Sequence, residues 1–173
     1  MRTAARTALV SRVTPVPTLL AAGLAGLAGA LAVTAVHQTA RYATPATAPR
    51  MDILGRRAIA NLFRAAGARP PEPDTLQALA LTGDVVSNTL YYALVATAPR
   101  GRATWTLGAL LGAAAGLGAV VLPPKLGLGS APSRRTPQTK AMAFGWYFLG
   151  GLVAAGVATL LDRGAPPSVR RAA

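Results

Sequence analysis

Gly83-Asp84-Val85-Val86-Ser87-Asn88-Thr89-Leu90-Tyr91-Tyr92 lies inside an apolar run from about Leu76 to Ala98, and Asp84 is the one acidic residue within any long apolar segment of the chain. A charge at membrane depth costs several kcal/mol, roughly 2.5–3.5 on insertion scales, so such a residue is turned inward or put to use. On a helix advancing about 100° per residue, Asp84, Ser87, Asn88 and Tyr91 fall within one arc of about 100°, and Val86, Leu90 and Ala93 lie roughly opposite. The pattern predicts a helix with a polar stripe on an otherwise lipid-compatible surface, and that stripe is the candidate site.

Composition points the same way. The chain has 173 residues, 52% of them hydrophobic, with a mean hydropathy of +0.40 and only 13% charged residues. Soluble domains carry about 25% charged residues. The excess of 18 Lys and Arg over 5 acidic residues would suit nucleic acid. However, these cations sit almost wholly outside the apolar runs, where membrane-flanking charges belong, and only 5% of residues are aromatic. Nucleic acid is therefore not an expected partner. With no cysteine and a single histidine, His37, there is no basis for a disulfide framework, a metal cluster or a cofactor.

Working outward, the apolar runs predict four spans, at about 16–36, 76–98, 103–122 and 141–161, each near the roughly 20 residues that a crossing helix needs. A basic tail (1–15) precedes them and a basic tail (162–173) follows. The first run also admits a cleaved signal peptide or an organellar transit peptide. At 21 residues it exceeds the usual 7–15-residue apolar core of a signal peptide, which favours an uncleaved first span. Between the first two spans, residues 52–67 predict a cationic amphipathic helix with Asp52 as N-cap. Leu54, Ala58, Ile59, Leu62 and Phe63 form its apolar face, opposite Arg56, Arg57, Asn61 and Arg64. Such a helix suits the headgroup layer, with Arg56, Arg57 and Arg64 on anionic lipid headgroups; packing on the ends of the spans is the alternative. Asp74 is the expected cap of the second span, Pro123-Pro124 the expected end of the third, and 125–140 the expected loop before the fourth. A second reading of the central stretch breaks the helix at Gly83 and makes Asp84 a cap, but 85–98 alone is too short to cross.

Gly108, Gly112 and Gly116 recur every four residues in the third span, and Gly151 belongs to a small-residue row of the fourth. Glycines at this spacing let helices approach closely where lipid is as apolar as leucine. The expected fold is an all-α integral membrane protein, an antiparallel bundle of four transmembrane helices plus one short amphipathic helix, in a bacterial inner membrane or an organellar membrane. The same glycines serve packing within one chain or association with a second copy or another membrane protein. Orientation is almost undetermined: the termini and the 99–102 turn carry eight Lys and Arg, the two longer loops ten. The basic amphipathic helix tips the balance towards cytoplasmic loops, and a near-even count also suits a dual-topology dimer.

Function follows from what the stripe lacks. Asp84 sits about eight residues into its span, roughly 12 Å at 1.5 Å per residue, and no Lys or Arg lies within any span. Intramembrane aspartyl hydrolysis needs two carboxylates, and Leu81-Thr82-Gly83-Asp84 lacks the first glycine of a Gly-x-Gly-Asp motif. A serine mechanism has no base beyond His37, on a different span. No catalytic residue is expected. The leading expectation is a non-enzymatic packing, accessory or interaction subunit of a membrane assembly, with Asp84 and Asn88 as interhelical hydrogen-bond donors and acceptors. The competing one is a minimal oligomeric proton- or ion-linked transporter or channel built on Asp84.

Overall fold

Ala-, Leu- and Gly-rich runs with proline confined to their ends favour uninterrupted helix, and the computed structural model, which describes residues 16–164, is helical wherever it has regular structure. The order is α1 (Val16–Ala43), α2 (Met51–Ala65), α3 (Pro73–Ala93), a 3-10 turn (Leu94–Thr97), α4 (Arg102–Lys125), a single-turn α5 (Ala131–Arg134) and α6 (Pro137–Gly164). The expected tail 1–15, and the part of the C-terminal tail from 165, lie outside the described residues. Among the described residues three helices, α1, α4 and α6, are long and apolar enough to cross a membrane. The three present Leu24, Leu31, Leu110, Leu117 and Leu160 outward as exposed side chains, a spread of outward-facing leucine that water does not favour and lipid does. α3 falls short on apolar character because Gln77, Asp84, Ser87 and Asn88 interrupt it.

Several expected ends move. α3 runs unbroken through Gly83-Asp84 and then tightens into the 3-10 turn, so the helix proper stops at Ala93 rather than near Ala98. Neither acidic residue caps its helix. Arg50 and Glu72 occupy the N-cap positions without a side-chain capping hydrogen bond, and Asp52 and Asp74 fall inside the first turns. α4 passes through Pro123-Pro124 and is ended instead by Gly127, whose φ of 69° is open to glycine. There the Leu128 amide bonds Pro123 O at 2.8 Å and the Gly127 amide bonds Pro124 O at 3.3 Å, a Schellman closure. Gly67 closes α2 in the same way, with Ala68 N on Phe63 O at 2.9 Å. At the other end, Asp162 and Arg163 continue α6 where a basic tail was expected, and Asp162 accepts a hydrogen bond from Arg100 of the α3–α4 turn.

α1 lies between α3 and α6, and α6 lies between α1 and α4. Close approach follows from missing side chains. A Cβ on Gly108 would lie 2.6 Å from Gly151 O, one on Gly112 2.8 Å from Phe148 Cα, and one on Gly116 2.7 Å from Phe144 O. The descending partners mark α4 and α6 as antiparallel, and they occupy the glycine face from within the chain. On α1, Gly26 meets Thr89 and Ala93 of α3, while Gly29 meets Gly150 and Ala154 of α6. Where these contacts converge, Val33, Tyr92, Ala154 and Ala155 are fully buried.

Candidate functional site

The stripe on α3 divides. The Asn88 amide donates to Asp84 Oδ1 at 3.0 Å, and the Tyr91 hydroxyl donates to Leu111 O of α4 at 2.9 Å. Ser87 faces outward and donates to its own turn at Asp84 O. The inward face is therefore rotated towards Tyr92, whose hydroxyl donates to Tyr147 O of α6 at 2.7 Å. Tyr92 and Tyr147 are core residues, whereas Trp105 is 46% exposed. The aromatic count along the chain could not separate these cases, because burial depends on which neighbours are small enough to admit a ring.

Asp84 opens onto a cavity of about 250 Å³ at the end of the molecule where α1 finishes and α3 and α6 begin. α1 contributes Thr34, His37, Gln38 and Arg41; α3 contributes Gln77, Ala80 and Asp84; α6 contributes Tyr147; and α2 roofs it with Asp52, Leu54, Gly55 and Ala58. His37 is 7% exposed and edges against Trp146 and Tyr147, with ring centroids 4.9 and 5.5 Å away. It is hydrogen-bonded to the backbone at Val33, and its Nε2 has no partner. Nor does Thr34 Oγ1. Two buried polar atoms without partners on one cavity wall are unusual, because each such group costs about 1–3 kcal/mol. Among the described residues Asp84 has no ion pair and there is no group of three metal-ligating side chains.

Sequence reasoning centred on α3 misses the α1 wall. The signal was there: Thr34, His37, Gln38 and Arg41 fall within about 100° on a helix, and Gln77 and Asp84 are two turns apart on α3. Each is a short polar face, but nothing in one dimension says that the two faces meet.

The roof is held by charge. Asp52, its side chain only 7% exposed, receives Arg50 through two hydrogen bonds of 3.1 Å and lies 3.7 Å from Arg56 and 3.8 Å from Arg41. Burial works against its ionisation, but the Arg50 hydrogen bonds and the charges of Arg41, Arg50 and Arg56 outweigh it and hold the carboxyl below the usual carboxylate range. Three guanidiniums around one carboxylate leave the mouth positive. Arg57 donates to Leu128 O at 2.6 Å, pinning α2 to the α4–α5 connection, and Arg64 donates to Asn61 at 2.9 Å.

Because the folded value for Asp52 is depressed, the network stabilises above the ordinary carboxylate pKa of about 3.9 and fades as pH falls through the lower folded value. Asp52→Asn is expected to cost about 1–2 kcal/mol at pH 7, the arginines being partly screened by water. Paired melting curves of the two proteins in detergent should then converge as pH falls below about 4. A gap that does not begin to shrink as pH falls below about 4 would assign Asp52 a packing role instead.

Comparison with protein-family models, with curated proteins and with solved structures finds no match for this chain.

Proposed function

We propose that the chain is a small multi-pass membrane protein that catalyses no reaction and serves as a binding and accessory subunit of a membrane assembly, with the α2-roofed cavity as its working site. In this reading α3 is a fourth span, tolerated in lipid because its polar face is turned onto α1, α4 and α6, and the long helices form an antiparallel bundle. Of the stripe, Tyr91 bonds across to α4, whereas Asp84 and Asn88 bond each other within α3, and Asp84 alone of the stripe also belongs to the cavity. Gly108, Gly112, Gly116 and Gly151 act in packing α4 onto α6. Arg56 is drawn to Asp52 and Arg57 to Leu128 O, which leaves Arg64, bonded to Asn61 of its own helix, the freest of the three for anionic headgroups.

The observation that carries this reading is the closed floor of the cavity. Val33, Tyr92 and Ala154 are fully buried, and Gly29 and Gly150 bring α1 and α6 into backbone contact beside them. A single chain thus offers Asp84 access from one side, which suits binding and not passage. The competing reading, a proton- or ion-linked transporter, draws on the presence of Asp84 and His37 in one cavity and needs a second copy to complete a path.

Reconstitution into liposomes under an imposed proton or sodium gradient separates the two. The expected result is no flux above protein-free vesicles, with Asp84→Asn indistinguishable from the native chain. A gradient-driven flux lost in Asp84→Asn would overturn the binding reading.

A further inference from the structure

The cavity is polarised along its length. Gly26 meets Thr89 and Ala93, and further along α1 the Thr34–Arg41 segment shares the cavity with Gln77 to Asp84, so α1 and α3 run antiparallel, with Thr34 about level with Asp84 and Arg41 with Gln77. Seven residues separate the two levels on either helix, about 10 Å at 1.5 Å per residue. The deep end collects acceptors: the Asp84 carboxylate lines it, and buried in its wall are the unpartnered Thr34 Oγ1 and His37 Nε2, the latter left as an acceptor once the other ring nitrogen donates to Val33. The mouth collects donors and positive charge: Arg41, which lies 3.8 Å from an Asp52 already paired with Arg50 and Arg56, and the amides of Gln38 and Gln77. Between them the walls are apolar, supplied by Leu54, Ala58, Ala80 and Leu81.

We propose that this cavity binds a zwitterion that carries a primary ammonium group and, a few bonds away, an anionic group: the ammonium at Thr34, His37 and Asp84, the anion at Arg41. This rests on the binding reading above and names its ligand class. A primary ammonium has three N–H donors to satisfy and a positive charge to pair, and the deep end supplies both needs. At about 250 Å³ the space is below the roughly 300–1,000 Å³ of sites for drug-sized molecules, which limits the ligand to headgroup size. An aminoethyl phosphate has this chemistry, either as the headgroup of phosphatidylethanolamine or as a soluble molecule. The roof, an amphipathic helix beside apolar spans, sits where a headgroup would arrive.

The discriminating contrast is N-methylation, which removes the N–H donors while retaining the charge. Native mass spectrometry of the detergent-purified chain, offered phosphatidylethanolamine or phosphatidylcholine with identical acyl chains, is expected to retain the former about tenfold more. Asp84→Asn should abolish that preference, and Arg41→Gln should weaken retention while Arg50 and Arg56 still hold Asp52. Equal retention of the two lipids by the native chain overturns the proposal without recourse to any variant, as does a preference that survives in Asp84→Asn. Glycerophosphoethanolamine added as competitor identifies the source: displacement of the lipid means that the headgroup chemistry suffices, and no displacement means that the ligand is the intact lipid. Loss of headgroup selectivity with no flux in liposomes would sink this proposal alone, whereas Asp84-dependent flux would sink the binding reading whatever the lipid result.

Discussion

Gly151→Ala is expected to be among the most damaging single-methyl changes at the described residues. A Cβ at this position would overlap Gly108 O and stand 2.8 Å from Gly112 N, so the obstruction is backbone of α4 and no rotamer relieves it. α4 and α6 must separate along the whole glycine face, losing the contacts of Gly112 and Gly116 with Phe148 and Phe144 as well. Overpacking of a tight core costs about 1–3 kcal/mol and occasionally more; with backbone on both sides the upper part of that range, about 3 kcal/mol, is expected. Gly145→Ala is the matched control. It lies on the same helix with nothing within 4 Å of its added Cβ, so the better helix propensity of alanine should stabilise by about 0.5–1 kcal/mol. Unfolding of both variants in mixed micelles would test the pair, and a Gly151→Ala protein as stable as the native chain would contradict the packing described here.

The second large effect is expected at Tyr92, whose ring is fully buried between α1 and α6 and whose hydroxyl reaches Tyr147 O. Tyr92→Phe keeps the ring and loses one hydrogen bond, which should cost about 1 kcal/mol. Tyr92→Ala also empties the space beside Val33, Gly29 and Gly150, and large-to-small changes of this kind cost about 3–5 kcal/mol. The ratio between the two losses is the informative quantity. If Tyr92→Phe were as damaging as Tyr92→Ala, the hydroxyl rather than the packed ring would be holding the helices together. In the same experiment Asp84→Asn should leave unfolding nearly unchanged, because an amide at this position can still accept from Asn88.

Particular residues explain how far the sequence could be read. The apolar runs marked α1, α4 and α6 because a helix facing lipid has no alternative to apolar side chains, a requirement that is local and one-dimensional. The four-residue glycine spacing marked a close-packing face for a similar reason. Its partner was open between α6 and a second chain, since spacing describes one surface and not what covers it. The amphipathic helix was legible from its periodicity, but Asp52 was read as a cap when it is the centre of three arginines. One of these, Arg41, comes from another helix, and an ion pair across helices leaves no trace in local pattern. Pro123-Pro124 looked like an end because a proline lacks its own donor and crowds the preceding turn, yet α4 runs through both and is closed only at Gly127.

Sequence alone therefore determined the apolar and rigid parts: apolar helices, glycine faces, a basic amphipathic segment, and one carboxylate amid the apolar residues of α3 without a cation beside it on its own helix. Each follows from short-range chemistry, the solvation of a side chain or the space left by a missing one. Tertiary structure alone decided what that carboxylate faces. Thr34, His37 and Arg41 are 43 to 50 residues from Asp84 along the chain, and they share its cavity only because Gly26 lets α1 lie against Thr89 and Ala93 of α3. The stripe became one wall of a cavity through helix register, which is set by where two backbones can touch.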